Sequence, residues 1–206
     1  MIIVPDEPPP AQPGEVLKVV VGKVFDGDGF LAKVWHPHRE TWIERVPFRF
    51  AFIDAPEIDQ QFGKESKEFL TNLISHKTLR LDPIGKESTG YMPVDPYKRL
   101  LCMAFLTDQM ETGRIDYYLN GTCGAGIVKQ ARSVTRNIEL EMIVNGWAWV
   151  IERYTFEREE EYFAAQEDAK RNRRGLWAMD HPEPPWKFKQ RQAKRRSTSG
   201  GQGRLI

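Results

Sequence analysis

Ile43-Glu44-Arg45-Val46-Pro47-Phe48-Arg49-Phe50-Ala51-Phe52-Ile53 places Val46, Phe48, Phe50 and Phe52 on one side of an extended chain. Arg45, Arg49 and Ala51 fall on the other. A period of two predicts a strand with one face in a core. The strand runs straight into Asp54-Ala55-Pro56-Glu57. An apolar strand that carries an arginine therefore ends on two carboxylates.

Working outward toward the N-terminus, Val16–Val24 is valine-rich and reads as a first strand. Asp26-Gly27-Asp28-Gly29 punctuates the chain before the alternating segment Phe30–Trp35, which is a hairpin signal. His36-Pro37-His38-Arg39-Glu40 makes the next turn, so Ile43–Ile53 is the third strand. Toward the C-terminus, Lys64–Ser75 reads as a helix with Phe69, Leu70, Leu73 and Ile74 as its apolar stripe. Thr78–Asp82 and Leu100–Leu106 read as strands, separated by the polar loop Gly85–Pro96. Thr107–Thr135 is glycine-punctuated and reads as an inserted loop, with room for a short strand at Tyr117–Leu119. Asn137 is placed to cap a helix running to Val144 and stopped by Gly146. Trp147–Ile151 is a short apolar segment. Thr155 is placed to cap a last helix, acidic at its start and basic at its end, that Gly175 stops. Three strands, a helix, two strands and two helices predict an α+β fold: a five-stranded β-barrel of the OB type with three α-helices.

The ends differ from this body. Residues 1–15 form a proline-rich arm, 16–178 the barrel domain, and 179–206 a proline-rich and then basic tail; both ends are expected to be flexible. The net charge of +1 from 30 basic and 29 acidic residues gives no sign of nucleic acid, but from Lys187 onward every charge is positive. Such a tail suits phosphate neutralisation and, equally, a solvated terminus. Two cysteines, Cys102 and Cys123, exclude a disulfide scaffold and have no zinc-site spacing, although one bridge between them is open. His36, His38, His76 and His181 show no ligand pattern. No apolar run reaches membrane-spanning length, and the start is not built like a signal peptide. A cytoplasmic location is the default, with a processed, secreted form left open.

Three carboxylates (Asp28, Asp54, Glu57) and two arginines (Arg49, Arg99) stand at predicted strand ends or inside the third strand. Oxygen ligands hold hard cations. Guanidinium groups and a cation stabilise a phosphorane-like transition state, and a further carboxylate can take a proton from water. Taken singly, each residue also fits a turn, a helix cap, a barrel rim or a surface charge.

Together they carry a resemblance. Asp26-Gly27-Asp28, Phe48-Arg49 leading to Ile53-Asp54-Ala55-Pro56-Glu57, and Asp95-x-Tyr97-x-Arg99 resemble the staphylococcal nuclease family. Phe62-Gly63, Asn145-Gly146-Trp147-Ala148, Ala165-x-Glu167-x-Ala169, Arg174-Gly175-Leu176-Trp177 and Pro185-Trp186-Lys187 follow in the same order, covering Val16 to Arg191. The resemblance implies the barrel with three helices. It implies one Ca2+ held by the Asp28 and Asp54 carboxylates and the Ala55 carbonyl. Glu57 is implied to position or deprotonate the attacking water, Arg49 and Arg99 to grip the phosphate, and Tyr97 and Tyr154 to line the nucleotide pocket. The implied partners are DNA and RNA, with 3′-phosphate products, from a monomer that needs no protein partner and no membrane.

The sequence departs from the family at four places. Gly29 replaces threonine beside Asp28, Glu152 replaces a second pocket tyrosine, and Lys98 replaces the glycine before Arg99, adding a substrate-facing charge. The stretch Thr107–Thr135 replaces a short hairpin and carries Tyr117, Tyr118, Lys129, Arg132 and Arg136, a set that suits single-strand contact or mere surface elaboration. The alternative reading is a catalytically weak or inactive nucleic-acid-binding module, which shifts DNA without cutting it. A third, an oligosaccharide-binding barrel of the same fold, gives no reason for this charge set.

Overall fold

Strands β1 (Leu17–Val24), β2 (Gly29–His36) and β3 (Thr41–Phe50) form an antiparallel meander in the computed structural model of the chain. The structure describes residues 16–36, 40–84, 94–119 and 122–199; for 36, 109–119, 122–132 and 197–199 it describes only the backbone path. The arm 1–15, residues 85–93 of the polar loop, His38 and residues 200–206 lie outside the described residues. So do the side chains of His36, Tyr117, Tyr118, Cys123, Lys129 and Arg132.

After β3 the chain forms the short β4 (Ile53–Asp54), helix α1 (Gly63–Ile74), β5 (Thr78–Pro83), β6 (Leu100–Leu119) and β7 (Thr122–Asn137). Helix α2 (Ile138–Val144), β8 (Trp149–Val150), α3 (Glu159–Arg171), a 3-10 turn (Gly175–Ala178) and α4 (Pro185–Ser199) complete it. β5 pairs antiparallel with the free edge of β1, and β6 with β5. A parallel pairing of β6 with β3, Phe48 opposite Leu100 and Phe50 opposite Cys102, then closes β1, β2, β3, β5 and β6 into a barrel. Closure leaves no exposed edge among them. This is the α+β barrel that the sequence predicts.

The alternating residues of β3 fill the barrel. Phe30, Phe48 and Phe50 are fully buried, and the Phe30 ring meets each of the other two with centroids 5.6 Å apart. Leu70 and Ile74 of α1, Ile138, Met142 and Ile143 of α2, and Tyr162 of α3 join the same core. Asn137 caps α2 as expected, its side chain accepting from the Leu140 amide at 3.1 Å.

Five details correct the sequence reading. The third strand stops at Phe50 and resumes at Ile53; in the break the Ala51 amide is shared between the Cys102 carbonyl at 3.1 Å and the buried Glu139 carboxylate at 2.8 Å. The region 107–135 is not a loop: β6 and β7 run through it as one long antiparallel hairpin, from Phe105 opposite Asn137 to Leu119 opposite Thr122. α3 starts at Glu159 rather than after Thr155, because Phe156 leaves the helical path to stack on Phe52, centroids 4.0 Å apart. It ends at Arg171, and Gly175 opens the 3-10 turn instead. Finally, part of the segment read as a tail forms a fourth helix, α4. Cys102 is a free, buried thiol, so no bridge joins it to Cys123. Among the described residues, no helix is long and apolar enough to cross a membrane.

Gly146 shows why one turn tolerates no side chain. Its φ is +72°, and a Cβ there would lie 2.2 Å from the Arg174 carbonyl oxygen. Gly146→Ala is expected to destabilise the fold by about 2 kcal/mol through strain and displacement of that segment. Gly22→Ala is the control, since its Cβ meets only the Leu31 carbonyl, at 3.6 Å. Urea unfolding midpoints of the two variants check the contrast.

Candidate active site

The barrel's strand pairing brings distant charges together. β2 begins at Gly29, which pairs with Arg49 of β3, so Asp28 lies beside Arg49. The parallel β3–β6 contact sets Arg49 opposite Leu101, two residues after Arg99. Asp54 leaves β3 in β4, fixed opposite Trp149 of β8.

Arg49 is the hub. Its Nη2 donates to Asp28 Oδ2 at 2.9 Å and to Asp54 Oδ1 at 2.8 Å, and its Nη1 to the Phe50 carbonyl at 3.1 Å. The Ala55 amide also donates to Asp28 Oδ2, at 3.2 Å. Arg99 Nη1 lies 3.9 Å from Asp28 Oδ1 and 4.0 Å from Asp26 Oδ2. Its Nε donates to Asp95 Oδ2 at 2.7 Å, while Asp95 Oδ1 accepts from the Tyr97 and Arg99 amides, both at 2.9 Å. Asp95 thus folds the turn that aims Arg99 inward. Lys98 takes a φ of +62° in that turn, which explains why glycine suits the position.

Glu57 is held at the rim. Lys189 of α4 places Nζ 3.0 Å from Glu57 Oε1 and 3.0 Å from Asp54 Oδ1. Gly63 permits this approach of α1: a Cβ there would lie 1.9 Å from the Glu57 carbonyl oxygen. Gly27 does the same on the other side, where a Cβ would meet Ser66 Oγ at 2.0 Å and Ala55 Cβ at 2.6 Å. Gly29 leaves room for charge: a Cβ there would stand 3.0 Å from Asp26 Oδ1 and 3.1 Å from Arg99 Nη1.

Burial and charge pull the carboxyls in different directions. Burial alone would raise Asp28, but Arg49, Arg99 and Lys189 outweigh it and hold its carboxyl below the ordinary carboxylate value. Burial and the Asp28 charge push Asp54 up, against Lys189 and Arg49. Asp26, half-buried and next to Asp28, is raised to about 7 by desolvation and by the Asp28 charge.

A cleft of about 640 Å³ opens onto this cluster, lined by Arg49, Asp54, Tyr97, Arg99, Tyr154 and Lys189 among others. Arg99 lies over the Tyr97 ring at 5.6 Å, and Arg153 over Tyr154 at 4.8 Å. Of the residues singled out in the sequence, Asp28, Arg49, Asp54, Ala55, Glu57 and Arg99 come together, and both tyrosines reach the cleft wall. Lys98 is exposed and does not line the cleft. Sequence reading missed Asp26, Asp95 and Lys189 as members. Asp95 had a signal in the Asp-Pro turn four residues before Arg99; Lys189 was hidden in a run of basic residues.

The donor set suits a hard cation, since Asp28 Oδ2 and Asp54 Oδ1 already converge on one positively charged nitrogen. Among the described residues no three His, Cys, Asp or Glu side chains group as a metal cluster.

The model of the family described as staphylococcal nuclease homologue matches residues 47–179. The chain is 28% identical over 162 residues to the probable staphylococcal-like nuclease CAN4 of Oryza sativa subsp. japonica, covering 79% of this chain but 25% of that protein. It is 30% identical over 147 residues to an uncharacterized endonuclease of Haemophilus influenzae, 71% of this chain and 62% of that one. A micrococcal nuclease of Shigella flexneri is 26% identical over 169 residues, 82% and 78% of the two chains. The first two of these relatives are longer proteins, and the chain spans less than two thirds of each.

Proposed function

The chain belongs to the staphylococcal nuclease family, and from that premise we propose that it is a calcium-dependent nuclease that hydrolyses DNA and RNA with little sequence preference. The observation that carries this reading is the ion-paired cluster that joins Asp28, Asp54, Glu57, Arg49 and Arg99 through Lys189, with Arg49, Asp54 and Arg99 lining one cleft. The Asp28 and Asp54 carboxylates and the Ala55 carbonyl would hold the ion. When bound, Ca2+ would supply positive charge to offset the negative charge that builds on the phosphate oxygens.

The side chains do the rest. Arg49 and Arg99 present planar forks that match phosphate oxygens, and Asp95 fixes the direction of Arg99. Glu57 accepts the proton of a water as that water's oxygen bonds to phosphorus. The P–O5′ bond breaks in line, its electron pair leaves on the 5′-oxygen, and that oxygen takes up a proton. The product carries a 3′-phosphate. Tyr97 and Tyr154 offer faces for the nucleotide on the cleft wall.

Digestion of plasmid and single-stranded DNA with calcium and with chelator tests this. Cutting is expected with calcium and not with chelator, and Glu57→Gln is expected to slow it by about a hundredfold. Equal cutting with chelator, or full activity in that variant, would overturn the reading. Binding without cutting would favour the inactive module instead.

A further inference from the structure

α4 lies past residue 179, where the family match ends, yet it reaches the cleft. Trp186 and Lys189 both line it, and their spacing of three residues sets them on one helix face. The helix is anchored by other residues. Phe188 is buried, Arg191 forks onto Glu183 at 3.0 and 2.6 Å, and the Gln60 amide donates to the Glu183 carbonyl. Trp186 packs edge to face on Trp149, centroids 6.5 Å apart, and Trp149 is itself fixed opposite Asp54. The indole is thus seated on a rigid element while remaining 38% exposed. A seated aromatic with an exposed surface beside a cationic cleft is a platform for a base, since every base has a π-face. Lys189 carries three N–H donors, two of them directed to Asp54 and Glu57, which leaves one for a phosphate oxygen.

We infer that α4 builds a second nucleotide subsite, where Trp186 stacks a base of a single-stranded nucleic acid and Lys189 takes the adjoining phosphate. The subsite rests on the nuclease reading and extends the cleft beyond the Tyr97–Tyr154 wall. It predicts that a longer strand gains affinity which a mononucleotide does not.

The test uses the full chain in chelator, so that nothing is cut, with a fluorescein-labelled thymidine octanucleotide and with thymidine 5′-monophosphate. Trp186→Leu is expected to weaken octanucleotide binding by about tenfold and to leave the mononucleotide unchanged, with Trp186→Phe recovering most of the loss. Lys189→Met is expected to lower the slope of log affinity against log salt by about 0.7, the share of one single-strand phosphate, and Lys189→Arg to keep it. Unchanged octanucleotide affinity and salt slope would overturn the subsite, as would an equal loss for the mononucleotide. If the wild type cuts with calcium while the variants bind normally, the subsite alone falls. A wild type that binds neither probe and does not cut overturns the nuclease reading with it.

Discussion

Arg49→Lys is expected to slow cleavage by about a thousandfold, because it removes a forked donor from the place where charge builds on the phosphate. The guanidinium spans Asp28 and Asp54 with one nitrogen and holds the Phe50 carbonyl with the other. An ammonium has its three donors at one point and cannot reach both carboxylates and the Phe50 carbonyl while also meeting a phosphate. Arg49→Met is expected to act on the fold as well. Its side chain is 12% exposed and its partners 6% and 10%, so both carboxylates would lose a buried counter-charge. Breaking a buried pair from one side costs about 3 to 5 kcal/mol, here reduced by Arg99 and Lys189 nearby. Initial rates and urea midpoints, measured on both variants, separate the two effects. A lysine variant that cuts within tenfold of the wild type would show that Arg49 only braces the carboxylates.

The arrangement around Arg49 also shows what the sequence made legible. The barrel strands could be read because one face of each is buried, and a buried face writes a period of two into the chain. Val46, Phe48 and Phe50 are that face in β3, all at most 1% exposed. The site could be read in pieces, since Asp28, Asp54, Glu57 and Arg99 flank strand ends. What brings them together is the parallel contact of β3 with β6, about 50 residues apart in the chain, and no local pattern encodes that pairing. The matching frame of family motifs supplied it instead.

The remainder was hidden for definite reasons. At the strand break the Ala51 amide is shared with Glu139, 88 residues later, while the local pattern runs on unbroken through Phe52 and Ile53. The β6–β7 hairpin looks like a loop in the sequence because its glycines and polar residues blur the alternation; backbone pairing holds it as strand. α4 reads as tail in the sequence because its basic composition masks the buried Pro185 and Phe188 and the cleft-lining Trp186 and Lys189. α3 starts past a good capping residue, Thr155, and the intervening Phe156 stacks on Phe52, a long-range contact that the local pattern does not show.

Glu139 carries the prediction with the clearest dependence on pH. Its carboxyl is fully buried: one oxygen accepts from the Ala51 amide at 2.8 Å, and the other from the Tyr162 hydroxyl at 2.8 Å. Burial raises it from the ordinary 4.5 to about 7, although these hydrogen bonds and Arg49 favour the charged form. Between those values the unfolded chain has released this proton and the folded chain still holds it. Stability contributed by Glu139 is therefore full below pH 4.5, falls as pH rises toward 7, and is flat above. The loss amounts to about 3 kcal/mol across that window, since holding a proton through one pH unit costs about 1.4 kcal/mol. Glu139→Gln mimics the protonated acid: its carbonyl oxygen can serve the Ala51 amide and its NH2 can donate to Tyr162. The variant is expected to match the wild type near pH 4.5 and to exceed its stability by up to about 3 kcal/mol at pH 7.5. Other groups that titrate in the same range, Asp26 above all, are present in both proteins and drop out of the difference. Urea unfolding of both across this range supplies the curves. Parallel curves would show that Glu139 keeps its charge in the folded protein, and that its hydrogen bonds outweigh its burial.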